Sequence, residues 1–244
     1  MLIISSLDNY KISNIETFVT SLNKSGYKGQ KCMVVYRCED YVKTFLKNFG
    51  WDVIEKDPQG EYIVTKRFQH FAEIIDKGYK VDHVLVTDCR DVYFHQNPER
   101  LNFVDLYIGQ DGNYPHRNNE WATSEMLSMF PDEYKELIDE FHLCAGVFYG
   151  SKEQVASLCI KTYEYTFKSK KYDINNIGKE TCADQMALNI VAYKDFKYKN
   201  EFNNSVINLA ATPWDTDTFF VIYHQYDRIH NFFERLKNKT KKLI

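Results

Sequence analysis

Four short apolar runs confine this chain to one fold class. They are MLIISS (1–6), KCMVVYR (31–37), WDVIEK (51–56) and DHVLVTD (82–88). Between them lie stretches whose apolar residues recur at helical spacing: Ile12, Ile15, Phe18, Val19 and Leu22, then DYVKTFLKNFG closed by Gly50, then a helix from Ile63 to about Asp76 closed by Gly78. Strands buried on both faces and alternating with helices imply an α/β architecture, a mixed, mostly parallel sheet flanked by helices. The second half continues with VDLYIGQ and CAGVFYG as strands, an acidic helical region over 121–141, a helix from Ser151 with that serine as N-cap, a helix over ETCADQMALNIVAY, a strand in FFVIYHQYDR and a basic C-terminal helix. With no repeat and no long linker, the expectation is a single domain over 1–244.

The net charge of −3 argues against nucleic acid as a partner, because phosphate-backbone binding shows as a basic excess. The 18 Tyr and 17 Phe supply a large core and stacking surfaces for a cleft. Six cysteines lack metal-ligand spacing and read as reduced thiols. The N-terminus turns polar too soon for a signal peptide or a transmembrane segment, so the expected location is the cytoplasm, the host's if the chain is viral. The basic C-terminus reads as a solvated helix end, with weak contact to an anionic membrane surface as the alternative.

In an open α/β sheet, ligands sit beyond the carboxyl ends of the strands. The fourth strand ends there in Asp88-Cys89-Arg90-Asp91. If the chain turns after Thr87, both carboxylates reach one point, and oxygen ligands on a turn suit Mg²⁺ or Mn²⁺. A histidine late in the chain, His224, is a third candidate ligand consistent with Mn²⁺, and Gly146 permits a close approach by a ligand. The plain alternatives are an Asp–Arg turn, a core histidine and a tight strand position. Asp184 likewise reads either as a helix-start charge or as a pocket residue.

Taken in order, the cluster, CAGVFYG (144–150), DQMALN (184–189), YHQYDR (223–228) and TKRF (65–68) resemble the GT-A glycosyltransferases, in particular the compact domains known from large DNA viruses and related cellular proteins. The resemblance implies a GT-A (Rossmann-like) fold with a nucleotide-binding half, about 1–100, and an acceptor half, about 101–244. It implies transfer of a sugar from a nucleotide-sugar donor, a UDP-sugar first, to a hydroxyl of a glycan or other acceptor, with Mn²⁺ or Mg²⁺ held by Asp88, Asp91 and His224. On the same resemblance, Ser5, Ser6, Arg67, Asp88, Arg90, Cys144, Ala145, Gly146, Gln185 and Arg228 face the donor, and Asp184 and Arg90 are catalytic. Asp111, Trp214 and Asp215 stand on the acceptor side. Two departures are visible: Arg90 holds the third place of a strict D-x-D, and Cys144 stands where many of these enzymes carry Asn. Alternatives are a phosphohydrolase of the haloacid dehalogenase type and a non-catalytic nucleotide-sugar or glycan-binding module.

Overall fold

The computed structural model describes residues 1–101, 106–170, 183–199, 206–209 and 220–241. Its main sheet has six strands in the order β3 (Asp52–Glu55), β2 (Gln30–Tyr36), β1 (Leu2–Asp8), β4 (His83–Thr87), β7 (Phe141–Ser151) and β6 (Tyr107–Pro115), numbered along the chain. The first four are mutually parallel; β7 runs antiparallel to both β4 and β6. The molecule is thus α/β, as the alternation predicts, and its sheet is mixed.

Along β1, Leu2 and Ile4 enter one core while Ile3 and Leu7 enter the other, because successive strand side chains point to opposite faces. Burial on both sides explains why these strands read as unbroken apolar runs. On one face lie α3 (Ile63–Gly78), α6 (Lys152–Thr166) and α7 (Ala183–Asp195), with Phe68 of α3 stacked on Phe148 of β7 at 6.1 Å. The other face carries α1 (Ile12–Lys24) and α2 (Asp40–Asn48), where Phe18 packs between Trp51 and Phe94 at 5.5 and 5.4 Å.

Two regions gain detail. The acidic helical region over 121–141 divides into two helices, α4 (Glu120–Met129) and α5 (Pro131–Leu137). Phe130 leaves helical geometry at φ −140°, ψ 63°, and Pro131 opens the next helix, where its missing N–H costs nothing. The last strand is not part of the main sheet. It is the three-residue β9 (Ile222–His224), antiparallel to β5 (Val92–Phe94) and parallel to β8 (Val206–Asn208). Gln225 ends it with a left-handed φ of 56°. The closing helix α8 (Phe232–Lys241) seats Phe232 against Tyr223 and Tyr93 at 5.4 and 5.7 Å, fastening the small sheet. Among the described residues no helix is long and apolar enough to cross a membrane.

Candidate functional site

The turn required by the two carboxylates is present. After β4 the backbone N–H of Asp88 donates to the Gly146 carbonyl at 2.7 Å, and the chain bends into β5 at Val92. The β5–β9 register pairs Val92 with His224, which delivers the imidazole beside Asp91. Nε2 of His224 lies 3.6 Å from Asp88 Oδ2 and 3.6 Å from Asp91 Oδ1. It is fully enclosed and has no hydrogen-bond partner among the described residues. One ligand atom from each of Asp88, Asp91 and His224 falls within 4.8 Å of the other two. Gly146 makes room for the cluster: a Cβ there would meet His224 Cε1 at 2.3 Å and Asp88 Oδ2 at 2.9 Å. Two carboxylate oxygens and one imidazole nitrogen, with an otherwise orphaned buried Nε2, fit a divalent cation such as Mn²⁺ or Mg²⁺.

Arg67, on the first turns of α3, ties this cluster to a second carboxylate. Its Nη1 donates to Asp88 Oδ1 at 2.5 Å, and its Nη2 lies 3.6 Å from Asp184 Oδ2 at the start of α7. Burial works to raise the Asp88 pKa, but Arg67 and His224 outweigh it and hold the carboxyl at about 2. Burial raises Asp91 above the ordinary carboxylate range. It also lifts Asp184 to about 6, against the partial pull of Arg67. For His224, burial opposes protonation, but the Cys144 sulfur and the Asp88 and Asp91 carboxylates prevail, so its pKa is raised.

The strand β7 and the start of α7 line the far side. Cys144 Sγ lies 3.8 Å from Nδ1 of His224, and Gln185 Oε1 accepts from the Ala145 N–H at 3.5 Å. The amide nitrogen of Gln185 is 2.8 Å from His142 Nε2 and 3.5 Å from Asp111 Oδ2. An amide nitrogen only donates, so His142 Nε2 accepts and its proton sits on Nδ1, facing His116 Nδ1 at 3.2 Å. Gln185 and Asp111 therefore belong to a buried polar network with two neutral histidines, both of whose pKa values burial lowers.

Other predicted residues fall differently. Ser5, expected at the nucleotide, is fully buried and donates to the Thr87 carbonyl at 2.6 Å; its neighbour Ser6 is the one that reaches the cleft. Arg90 and Arg228 are exposed. Trp214 and Asp215 lie outside the described residues. Beside Arg67 opens a cavity of about 590 Å³ whose wall includes Ser6, Asp8, Tyr10, Arg37 and Tyr62. Ser6, Asp8 and Tyr10 belong to SSLDNY (5–10), a strand end that the sequence places with Arg67 at the nucleotide; Arg37 and Tyr62 escape sequence reasoning. Asp8 had a signal, its place at the carboxyl end of β1, whereas Arg37 sits at a φ of 50° after β2 and turns back to chelate Asp8 through two guanidinium nitrogens.

No family model matches the chain. An alignment 195 positions long that covers 72% of the chain is 26% identical to a protein named probable lipoate-protein ligase A from Mycoplasma genitalium. The match spans 58% of that relative's length. This finding overturns the expected glycosyltransferase, since the relative bears a ligase name. Membership of the GT-A glycosyltransferases, sugar transfer from a UDP-sugar or other nucleotide-sugar donor to a glycan, the phosphohydrolase and non-catalytic alternatives, and the membrane-surface contact are all set aside with it.

Proposed function

We propose that the chain is a divalent-cation-dependent enzyme that grips a nucleotide by its phosphates and uses it to activate a carboxylic acid for ligation. The observation that carries the cation and phosphate part is the convergence of Asp88, Asp91 and the orphaned Nε2 of His224 beside Arg67. The ligase class draws its support from the name of the similar protein, and lipoate is the first acid to test.

A ligase must make an acid reactive before an amine can displace its oxygen. In the reaction proposed, a carboxylate oxygen attacks the α-phosphorus of a nucleoside triphosphate, and the bond to pyrophosphate breaks. An amine then attacks the acyl carbon, releasing the nucleoside monophosphate and a proton. A cation held by Asp88, Asp91 and His224 would supply positive charge against the phosphate oxygens. Arg67 adds a half-buried guanidinium at the same place, where its partial shielding from water strengthens its effect. Asp184, with a pKa of about 6, is matched to receiving the amine proton near neutral pH. The cavity beside Arg67, with Tyr10 and Tyr62 in its wall, offers aromatic surface for the nucleoside.

Calorimetric titration with ATP and other nucleoside triphosphates, with Mn²⁺ and with excess chelator, tests the binding. Asp88→Asn, Asp91→Asn and His224→Ala should each weaken cation-dependent binding by tenfold or more. Undiminished nucleotide affinity in chelator would remove the phosphate-site reading. Exchange of labelled pyrophosphate into ATP, dependent on lipoate or another carboxylic acid, tests the ligase step; binding without exchange for any acid would remove the ligase class alone.

A further inference from the structure

We propose that Cys144 is the positioning residue that fixes which nitrogen of His224 faces the cation. The inference rests on the cation site proposed above. Nε2 of His224 points between Asp88 and Asp91 at 3.6 Å from each, so it is the nitrogen available for ligation. An imidazole that gives its Nε2 lone pair to a cation is neutral and carries its remaining proton on Nδ1. That N–H is inside the protein, because His224 is 2% exposed, and a buried donor without an acceptor is costly. The group lying against Nδ1 is the Cys144 sulfur, 3.8 Å away. Cys144 is itself a free thiol, 4% exposed, held in the β7 strand two residues before Gly146.

One short stretch of β7, where its register with β6 shifts, brings both Cys144 and the open side of Gly146 against the same ring. Gly146 admits the imidazole edge, since a Cβ there would lie 2.5 Å from Nε2, and Cys144 meets the opposite nitrogen. The ring is thus held from both sides along one strand. Cys144 is not placed to ligate the ion, because its sulfur lies on the Nδ1 side and the carboxylates lie on the Nε2 side. Its part is to accept the Nδ1 proton and hold the ring in the ligating orientation. Carboxylate, carbonyl or water partners of a ligating histidine alter metal affinity by about 10- to 100-fold when removed, and a thiol sulfur is a weaker acceptor than these.

The test measures Mn²⁺ affinity alone, by electron paramagnetic resonance, in wild type, Cys144→Val, Cys144→Ala and Cys144→Ser, with thermal melting in chelator as the check on folding. The Val and Ala variants, which remove the acceptor, should lose up to about 10-fold in Mn²⁺ affinity, the lower end for such partners, while melting as cooperatively as wild type. Ser, which keeps an acceptor, should bind more tightly than either. Nitrogen-15 NMR of the Zn²⁺-loaded wild type should show His224 protonated at Nδ1. Wild-type Mn²⁺ affinity in folded Val and Ala variants would overturn the role of Cys144 and leave the cation site standing, whereas a His224 proton on Nε2 would remove that nitrogen as a ligand and overturn both. If wild type binds no divalent cation, both proposals fall.

Discussion

Arg67 brings one positive charge to two carboxylates, the half-buried Asp88 and the buried Asp184, and the division is unequal. Asp88 takes the 2.5 Å contact and is held at about 2, while Asp184, at 3.6 Å, is left with a pKa of about 6 against an ordinary 3.8. The consequence for stability has a definite sign. A carboxyl whose folded pKa is raised contributes its stability below the unfolded value, and that contribution is lost as pH rises through the folded value. At about 1.4 kcal/mol per pH unit of displacement, ionising Asp184 removes on the order of 3 kcal/mol between pH 4 and pH 7. Asp184→Asn cannot ionise and should lack that loss, so its stability should gain on wild type as pH rises. Urea unfolding of both proteins in chelator from pH 4 to pH 7 reads the difference directly. Two curves that stay parallel across the range would show that Asp184 is not the group responsible.

At the scale of the element, α6 has its start written in the chain. Ser151 Oγ accepts from the Gln154 N–H at 3.2 Å, and Gln154 Oε1 accepts from the Ser151 N–H at 3.2 Å, a reciprocal box. Ser151→Ala should cost about 1 kcal/mol in a denaturant melt and leave Mn²⁺ affinity unchanged, because Ser151 pairs with His83 at the end of β4 opposite Asp88; a matching drop in affinity would mean that α6 and the site are coupled. Elements such as this one are legible because local chemistry decides them, as are the four parallel strands, whose apolar runs have no other way to be buried. The α4–α5 break was visible as Pro131, but nothing local tells a helix-opening proline from one inside a longer acidic helix. The short β9 was illegible for a different reason. FFVIYHQYDR reads as a long strand, and only the left-handed Gln225 and the three-residue partner β5 limit it to Ile222–His224. Within the site, Asp88, Asp91 and His224 could be picked out from residue type and strand-end position. Ser5 and Ser6 could not be told apart, since adjacent residues on a strand face opposite ways and the register alone decides which one sees the cleft. The wall residue Arg37 reads as an ordinary surface charge until the fold brings Asp8 to it.

Across the whole molecule, the candidate ligands come from two sheets. Asp88 and Asp91 follow β4 of the main sheet, and His224 ends β9 of the small one, so a bound cation would join the two at a single point. Anything that binds only the folded state stabilises it by mass action, and the segments it joins should gain most. Hydrogen exchange should therefore slow on addition of Mn²⁺ at 83–95 and at 220–228 together. The effect should also depend on pH in one direction. Because His224 has a raised pKa without a cation, loading the site must displace its proton, and protons compete with the ion. Affinity should fall as pH is lowered, by up to about tenfold per unit while His224 is protonated. Calorimetry in buffers of different ionisation enthalpy should then register a proton released on binding near neutral pH. Protection confined to 83–95, with no proton released, would place the ion on the carboxylates alone and leave His224 as a core residue paired with Asp88 and Asp91.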